Sequence, residues 1–260
     1  TSGLETDPNL NFQAMKAGSL LAGARPSWFF LWPGGLKNQP SAGILREWNI
    51  TKHRKRKKNM HISEGVLSPA VLVTGAGLAA VGTAIGLKKL DYEDIPRVAI
   101  LSAAFFVASL IHVPIGPVAE HLVLNGLMGL LLGWLAVPAI LIGLFLQALL
   151  FQFGGLTVLG VNTVTMATPA VICFYAFRPL LRRGGRPAMA AAFACGFTAI
   201  LMSGLLVATA LLSTGQGFLK VAELVLVAHI PVMFVEGLIT LFIFMFLEKV
   251  RPEMLEGIYA

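Results

Sequence analysis

The sequence predicts an all-α membrane protein, a polytopic bundle of about seven transmembrane helices. Three observations carry that prediction. Of 260 residues, 56% are hydrophobic and only 13% charged, about half the charged share of a soluble domain, and the mean hydropathy is +0.78. From residue 66 onward, apolar segments of roughly 15–28 residues alternate with short polar punctuation, bracketing the ~20 residues a spanning helix needs. At these lengths only helices satisfy their own backbone within hydrocarbon. The same composition excludes a disordered chain, a disulfide scaffold and a cytosolic enzyme with a charged surface.

Taken in order, the first segment, 66–87, carries Gly75, Gly77, Gly82 and Gly86. Its Gly82-x-x-x-Gly86 spacing lets another helix approach closely. The second, 95–112, follows a connection holding Lys88, Lys89 and Arg97. The third and fourth, 121–136 and 138–153, are short and joined by little more than Val137-Pro138, which makes them half-length or strongly tilted. The fifth and sixth, 158–177 and 188–213, are separated by Arg178, Arg182, Arg183 and Arg186. Cys173 and Cys195 lie mid-segment and read as small hydrophobes. The seventh, 221–247, holds His229 and Glu236 two turns apart on one face. Asn125, Gln147 and Gln152 are suited to hydrogen bonding between helices.

Ahead of these segments, residues 1–59 differ in character. They hold ten Lys or Arg against three acids, the whole formal net charge of +7, whereas 60–260 balance ten against ten. The stretch is rich in Gly, Pro, Asn and Ser and ends in Lys52-His53-Arg54-Lys55-Arg56-Lys57-Lys58. It lacks a span and is a poor signal peptide, because its positive run follows rather than precedes any apolar stretch. The reading is a non-native or disordered basic extension, 1–59, ahead of a transmembrane metal-binding domain, 60–260.

With seven spans the connections alternate between two sides. One side collects Lys88, Lys89, Arg97, Arg178, Arg182, Arg183, Arg186, Lys249 and Arg251; from Met60 onward the other holds only Lys220. The positive-inside rule places the 88–97 and 178–187 loops and the C-terminus in the cytoplasm. Met60, the 113–121 turn, the 154–162 connection and the 214–222 loop then lie outside. His61, His112, His121 and His229 gather toward that outer face, and only His53 does not. Imidazole is the commonest protein ligand for transition metals, so an extracytoplasmic metal site is the leading hypothesis.

Blander readings stand beside it. His112 at a helix end is ordinary at an interface. Intramembrane ionisable residues are functional by default, but His229 with Glu236 fits a packing hydrogen bond as well as a ligand role. The alternative function is an intramembrane metalloenzyme, zinc hydrolase-like, using His112, His121, His229 and Glu236; three protein ligands plus a water would suit zinc. Against it, the sequence lacks an H-E-x-x-H pair. A stand-alone carrier would favour two similar halves, and no repeat is visible.

Four stretches carry a family resemblance: Met60-His61-Ile62-Ser63-Glu64-Gly65; Gly116-Pro117-Val118-Ala119-Glu120-His121 with Asn125-Gly126; Leu146-Gln147-Ala148-Leu149-Leu150-Phe151 with Gly154-Gly155-Leu156-Thr157 and Gly160-Val161-Asn162-Thr163; and His229-Ile230-Pro231 with Glu236-Gly237. Together they resemble the CbiM/NikM family, the membrane substrate-binding subunit of cobalt and nickel energy-coupling-factor transporters. The resemblance implies a metal site built from the Met60 amine, the His61 amide and ring, and the His121 ring, with Asn162 and His229 orienting those ligands. Such a tetragonal nitrogen set suits Ni²⁺, Cu²⁺ or low-spin Co²⁺, and Co²⁺ and Ni²⁺ as transported substrate fit it equally. The outer turn departs from the family's Ser- and Gly-rich pattern at Val118-Ala119-Glu120, which leaves cobalt and nickel both open.

The chain carries no G-x-x-x-x-G-K-[ST] phosphate cradle, so it is read as a transport subunit and not an enzyme. The resemblance implies a transmembrane coupling subunit, cytoplasmic ATPase subunits and a small accessory membrane subunit as partners, in a bacterial inner membrane, with no nucleic acid. Six Lys or Arg just before the first span would hold that end in the cytoplasm, while the chelate needs a free Met60 amine outside. Both conflicts vanish if the functional chain starts at Met60.

Overall fold

The computed structural model describes residues 58–59, 65–115 and 118–259. Most of the basic extension, together with Met60 and His61, lies outside the described residues. Seven helices occur where seven apolar segments were predicted: α1 (Pro69–Lys88), α2 (Ile95–Ala108), α3 (Asn125–Leu132), α4 (Ala136–Phe151), α5 (Leu159–Leu181), α6 (Gly185–Thr214) and α7 (Leu219–Val250). A short C-terminal hook follows, a 3₁₀ turn at Pro252–Leu255 and one α-helical turn, α8 (Glu256–Tyr259). Pro69 and Pro96 sit in the first turns of α1 and α2, where a missing N–H costs nothing.

The segments are not seven equal spans. Five stretches are long and apolar enough to cross a membrane: 69–88, 125–151, 159–181, 185–214 and 219–250. Within 125–151, however, the chain turns back. Gly133 adopts φ +54 at a 3₁₀ turn over Gly133–Leu135, separating α3 from α4. Asn125 lies against Met166 and Gly129 against Ala170, so α3 runs parallel to α5. Ser102 bonds Ala139 and Phe105 meets Gly143, so α4 runs parallel to α2. The third segment, 121–136, takes the half-length form of the two expected: α3 has eight residues, about 12 Å of helix, too short to cross. The apolar pattern marked burial inside the bundle, not length across the bilayer. Every residue of α3 is buried.

The predicted outer turn at 113–121 is corrected. Strands β2 (His112–Ile115) and β3 (Val118–His121) form an antiparallel hairpin in which His112 pairs with His121. Strand β1 (Lys58–Asn59) adds in parallel to β3, with Lys58 opposite Val118 and Asn59 opposite Ala119. The sheet order is β1-β3-β2.

Glycines decide how closely the helices approach. A methyl at Gly126 would lie 2.6 Å from the Cα of Gly196, and one at Gly86 would lie 2.6 Å from Cδ of Pro138. The Gly82–Gly86 face of α1 thus docks on the start of α4, as the spacing predicted. Outward, α1 presents Val73, Leu78 and Val81 and α7 presents Phe242 and Phe246, all well exposed. Such an apolar outer surface fits lipid.

The hook closes one end of the bundle. Leu255 and Ile258 are buried in the main core, and their backbone is held by arginines. Arg178 Nε and Arg182 Nε donate to the Ile258 carbonyl at 3.1 and 2.8 Å. Arg97 Nη2 donates to the carbonyls of Met254 and Leu131.

Candidate metal centre

His121 closes β3 and is 2% exposed. Its Nδ1–H donates to the Leu122 carbonyl at 2.9 Å, which places the ring's lone pair on Nε2. Three residues on, the chain bends into α3 through Leu124, at φ +52 in the left-handed region.

That bend is held by Glu236 of α7. Val123 N–H donates to Oε1 at 2.5 Å, and Leu124 N–H donates to Oε1 and Oε2 at 2.9 and 3.0 Å. Glu236 is fully buried. It lies about 25 Å along α7 from Leu219 and about 21 Å from Val250 at 1.5 Å per residue. The bend, and the start of α3, therefore sit near the middle of the bundle's depth.

Asn125 opens α3. Its Nδ2 donates to the Met166 carbonyl at 3.2 Å and to Ser203 Oγ at 2.8 Å, tying α3 to α5 and α6. Next to Ser203, Gly204 makes room for His229: a methyl there would lie 3.1 Å from the imidazole Cδ2. His229 Nδ1–H donates to the Val225 carbonyl one turn back, at 2.7 Å, so its lone pair is also on Nε2. Asn162 is buried in the first turn of α5, one helical turn before Met166.

Of the predicted site, His121, Asn162 and His229 are all buried within the bundle. Met60 and His61 lie outside the described residues; Asn59, the residue before them, pairs with Ala119 two positions from His121. The described members of the metalloenzyme set, His121, His229 and Glu236, form no metal-holding group. Both oxygens of Glu236 are taken by amides, and among the described residues no three His, Cys, Asp or Glu converge to hold an ion. Asn125 makes the interhelical bonds expected of it. Gln147 is buried, and its side-chain atoms have no hydrogen-bond partner among the described residues; its carbonyl accepts the Gln152 and Phe153 N–H groups. Sequence reasoning missed Ser203 and the backbone of Val123 and Leu124. The available signal was Glu236, mid-way along α7 and far from Glu223 and Glu248 near its ends, since a carboxylate at that depth must find donors.

A family model described as the cobalt uptake substrate-specific transmembrane region, CbiM, matches residues 61–254. A Haemophilus influenzae protein named as a candidate metal transport protein is 44% identical over 203 residues, covering 75% of this chain and 97% of its own length. The cobalt transport protein CbiM of Sorangium cellulosum is 31% identical over 214 residues, 76% of this chain and 95% of its own. Among solved structures, a crystal structure of a transition metal transporter is similar with a TM-score of 0.64 at 27% identity, covering 76% of this chain and 98% of that one.

Proposed function

We propose, from the premise that the chain belongs to the CbiM family, that it captures one Co²⁺ or Ni²⁺ ion as the substrate-binding membrane subunit of an ATP-driven uptake transporter. Capture uses four nitrogens: the Met60 amine, the His61 amide and ring, and the His121 ring. The observation that supports this set most directly is the placement of His121: β3 ends on it, the residue is buried, and its Nδ1–H is held by the Leu122 carbonyl, which puts the ring's lone pair on Nε2. An amine, a deprotonated amide and imidazoles in a plane suit d⁸ and low-spin d⁷ ions and suit Mg²⁺ or Ca²⁺ poorly. Asn162 and His229 stand around this site as residues that would hold its ligands in place.

The charge distribution supports an orientation with the hairpin end outside and the hook end in the cytoplasm. Without a phosphate cradle of its own, the chain would draw energy from partners: a transmembrane coupling subunit, cytoplasmic ATPases and a small accessory membrane subunit. The functional chain would begin at Met60, because an extension caps the amine that the chelate uses; N-terminal sequencing of the membrane-inserted protein checks this. The metal site itself is tested by replacing His61 with Ala and measuring Ni²⁺ and Co²⁺ binding. Loss of affinity and of the tetragonal absorption spectrum is expected. Unchanged affinity and spectrum would overturn the N-terminal chelate.

A further inference from the structure

The helix that follows His121 is held at both of its poles by charge, fully buried at one end and half-buried at the other. At its N-terminal end the Glu236 carboxylate accepts the N–H groups of Val123 and Leu124. At its C-terminal end Arg97 donates to the Leu131 carbonyl, one of the last four, which have no partner within the helix. A carboxylate at the positive pole and a guanidinium at the negative pole both match the helix dipole. In between, α3 is packed too closely to slide: Gly126 and Gly129 meet the backbones of α6 and α5.

From this we infer that Glu236 is a positioning residue for metal capture, presetting His121 through the backbone of Val123 and Leu124; the inference rests on the proposed role of His121 as a ligand. The chain between the two is short. His121 is two residues from the first amide that Glu236 holds, and its own Nδ1–H is fixed by the intervening Leu122 carbonyl. Fixing Val123 and Leu124 therefore fixes where Nε2 stands. Val123 N–H goes to Oε1 and Leu124 N–H is shared between Oε1 and Oε2, an arrangement in which every facing atom of the carboxylate is an acceptor. Gln keeps the two lone pairs of one oxygen but sets its NH₂ against the Leu124 N–H where Oε2 stands. A buried carboxylate in a spanning helix is costly, and an apolar side chain would pack α7 as well. What the carboxylate adds is the geometry of the bend.

The test compares the full chain as isolated from the membrane with E236Q, E236D, H121A and the E236Q/H121A double variant. Ni²⁺ titration gives affinity, and Cu²⁺ electron paramagnetic resonance counts equatorial nitrogens, since Cu²⁺ takes the same tetragonal set. E236Q is expected to fold and to lose about 10–100-fold in Ni²⁺ affinity, the usual range for a residue that orients a ligand. Its nitrogen count should fall from four to three, as in H121A. The double variant should bind no more weakly than H121A alone, because Glu236 acts through His121. E236D, charged but one methylene shorter, should show the same nitrogen loss.

A folded E236Q with unchanged affinity and four nitrogens would overturn the proposal. So would a double variant whose losses multiply, or Glu236 variants that all fail to fold while H121A folds. H121A binding Ni²⁺ like the unmodified chain would sink the site reading itself, and this proposal with it. That failure is recognisable because it shows without any change at Glu236.

Discussion

Gly75 and Gly77 lie two residues apart in α1 and have opposite surroundings. A methyl at Gly75 would stand 2.9 Å from the Cα and 3.0 Å from the backbone nitrogen of Val161, whereas one at Gly77 meets nothing within 4 Å. Both substitutions to Ala gain the same helix propensity, ~0.5–1 kcal/mol, and that gain cancels in the comparison. What remains is overpacking at Gly75 alone. Atoms of a main chain cannot rotate aside, so the cost should fall in the ordinary range for a forced methylene, ~1–3 kcal/mol. G75A should therefore be less stable than G77A by about 1–3 kcal/mol, a factor of roughly 5 to 150 in the unfolding equilibrium. Reversible unfolding in mixed lipid and detergent micelles, read by helical ellipticity, measures the difference. Equal stability of the two variants would refute the reasoning that α1 and α5 are locked at this contact.

Two further outcomes are expected. Arg97→Gln removes a donor to both Leu131 and Met254; it should cost ~1–3 kcal/mol, as for hydrogen bonds from a charged group. It should also speed proteolysis of residues 252–259, and a hook cleaved no faster than in the unmodified chain would contradict its role as a clasp. On the proposed chelate, Ni²⁺ binding displaces protons from the amine and the amide, so affinity falls as pH falls. Because the amine titrates near ~8 and imidazole near ~6.5, titrations should show affinity still rising about tenfold or more between pH 7 and pH 8. A plateau above pH 7 would point to imidazole ligands alone.

Much of the fold was legible because hydrocarbon imposes one rule on the sequence. Each apolar segment became a helix, and the glycine face of α1 found its partner. The re-entrant region was legible only as a choice between half-length and tilted, for a physical reason. Leu122 to Leu132 is as apolar as a spanning helix, since the inside of a bundle and the lipid around it ask for the same side chains. Only backbone geometry, the left-handed Leu124 and the turn at Gly133, separates the two cases. For the site, His121, Asn125, Asn162 and His229 stood out as polar groups in apolar sequence. The partner of Glu236 did not, because its donors are main-chain amides that any residue carries.

The contact between Glu236 and the bend also constrains the order in which the protein is made. Leu124 precedes its carboxylate by 112 residues, so a ribosome delivering the chain to the membrane places the bend long before α7 exists. Until then the amides of Val123 and Leu124 have no such acceptor at that depth, and eight residues of helix cannot hold themselves across a bilayer. The hairpin and α3 must therefore settle into the bundle late, after the last long helix has arrived. By this order the segment that carries His121 is assembled last, and a correctly placed His121 reports that biogenesis is complete.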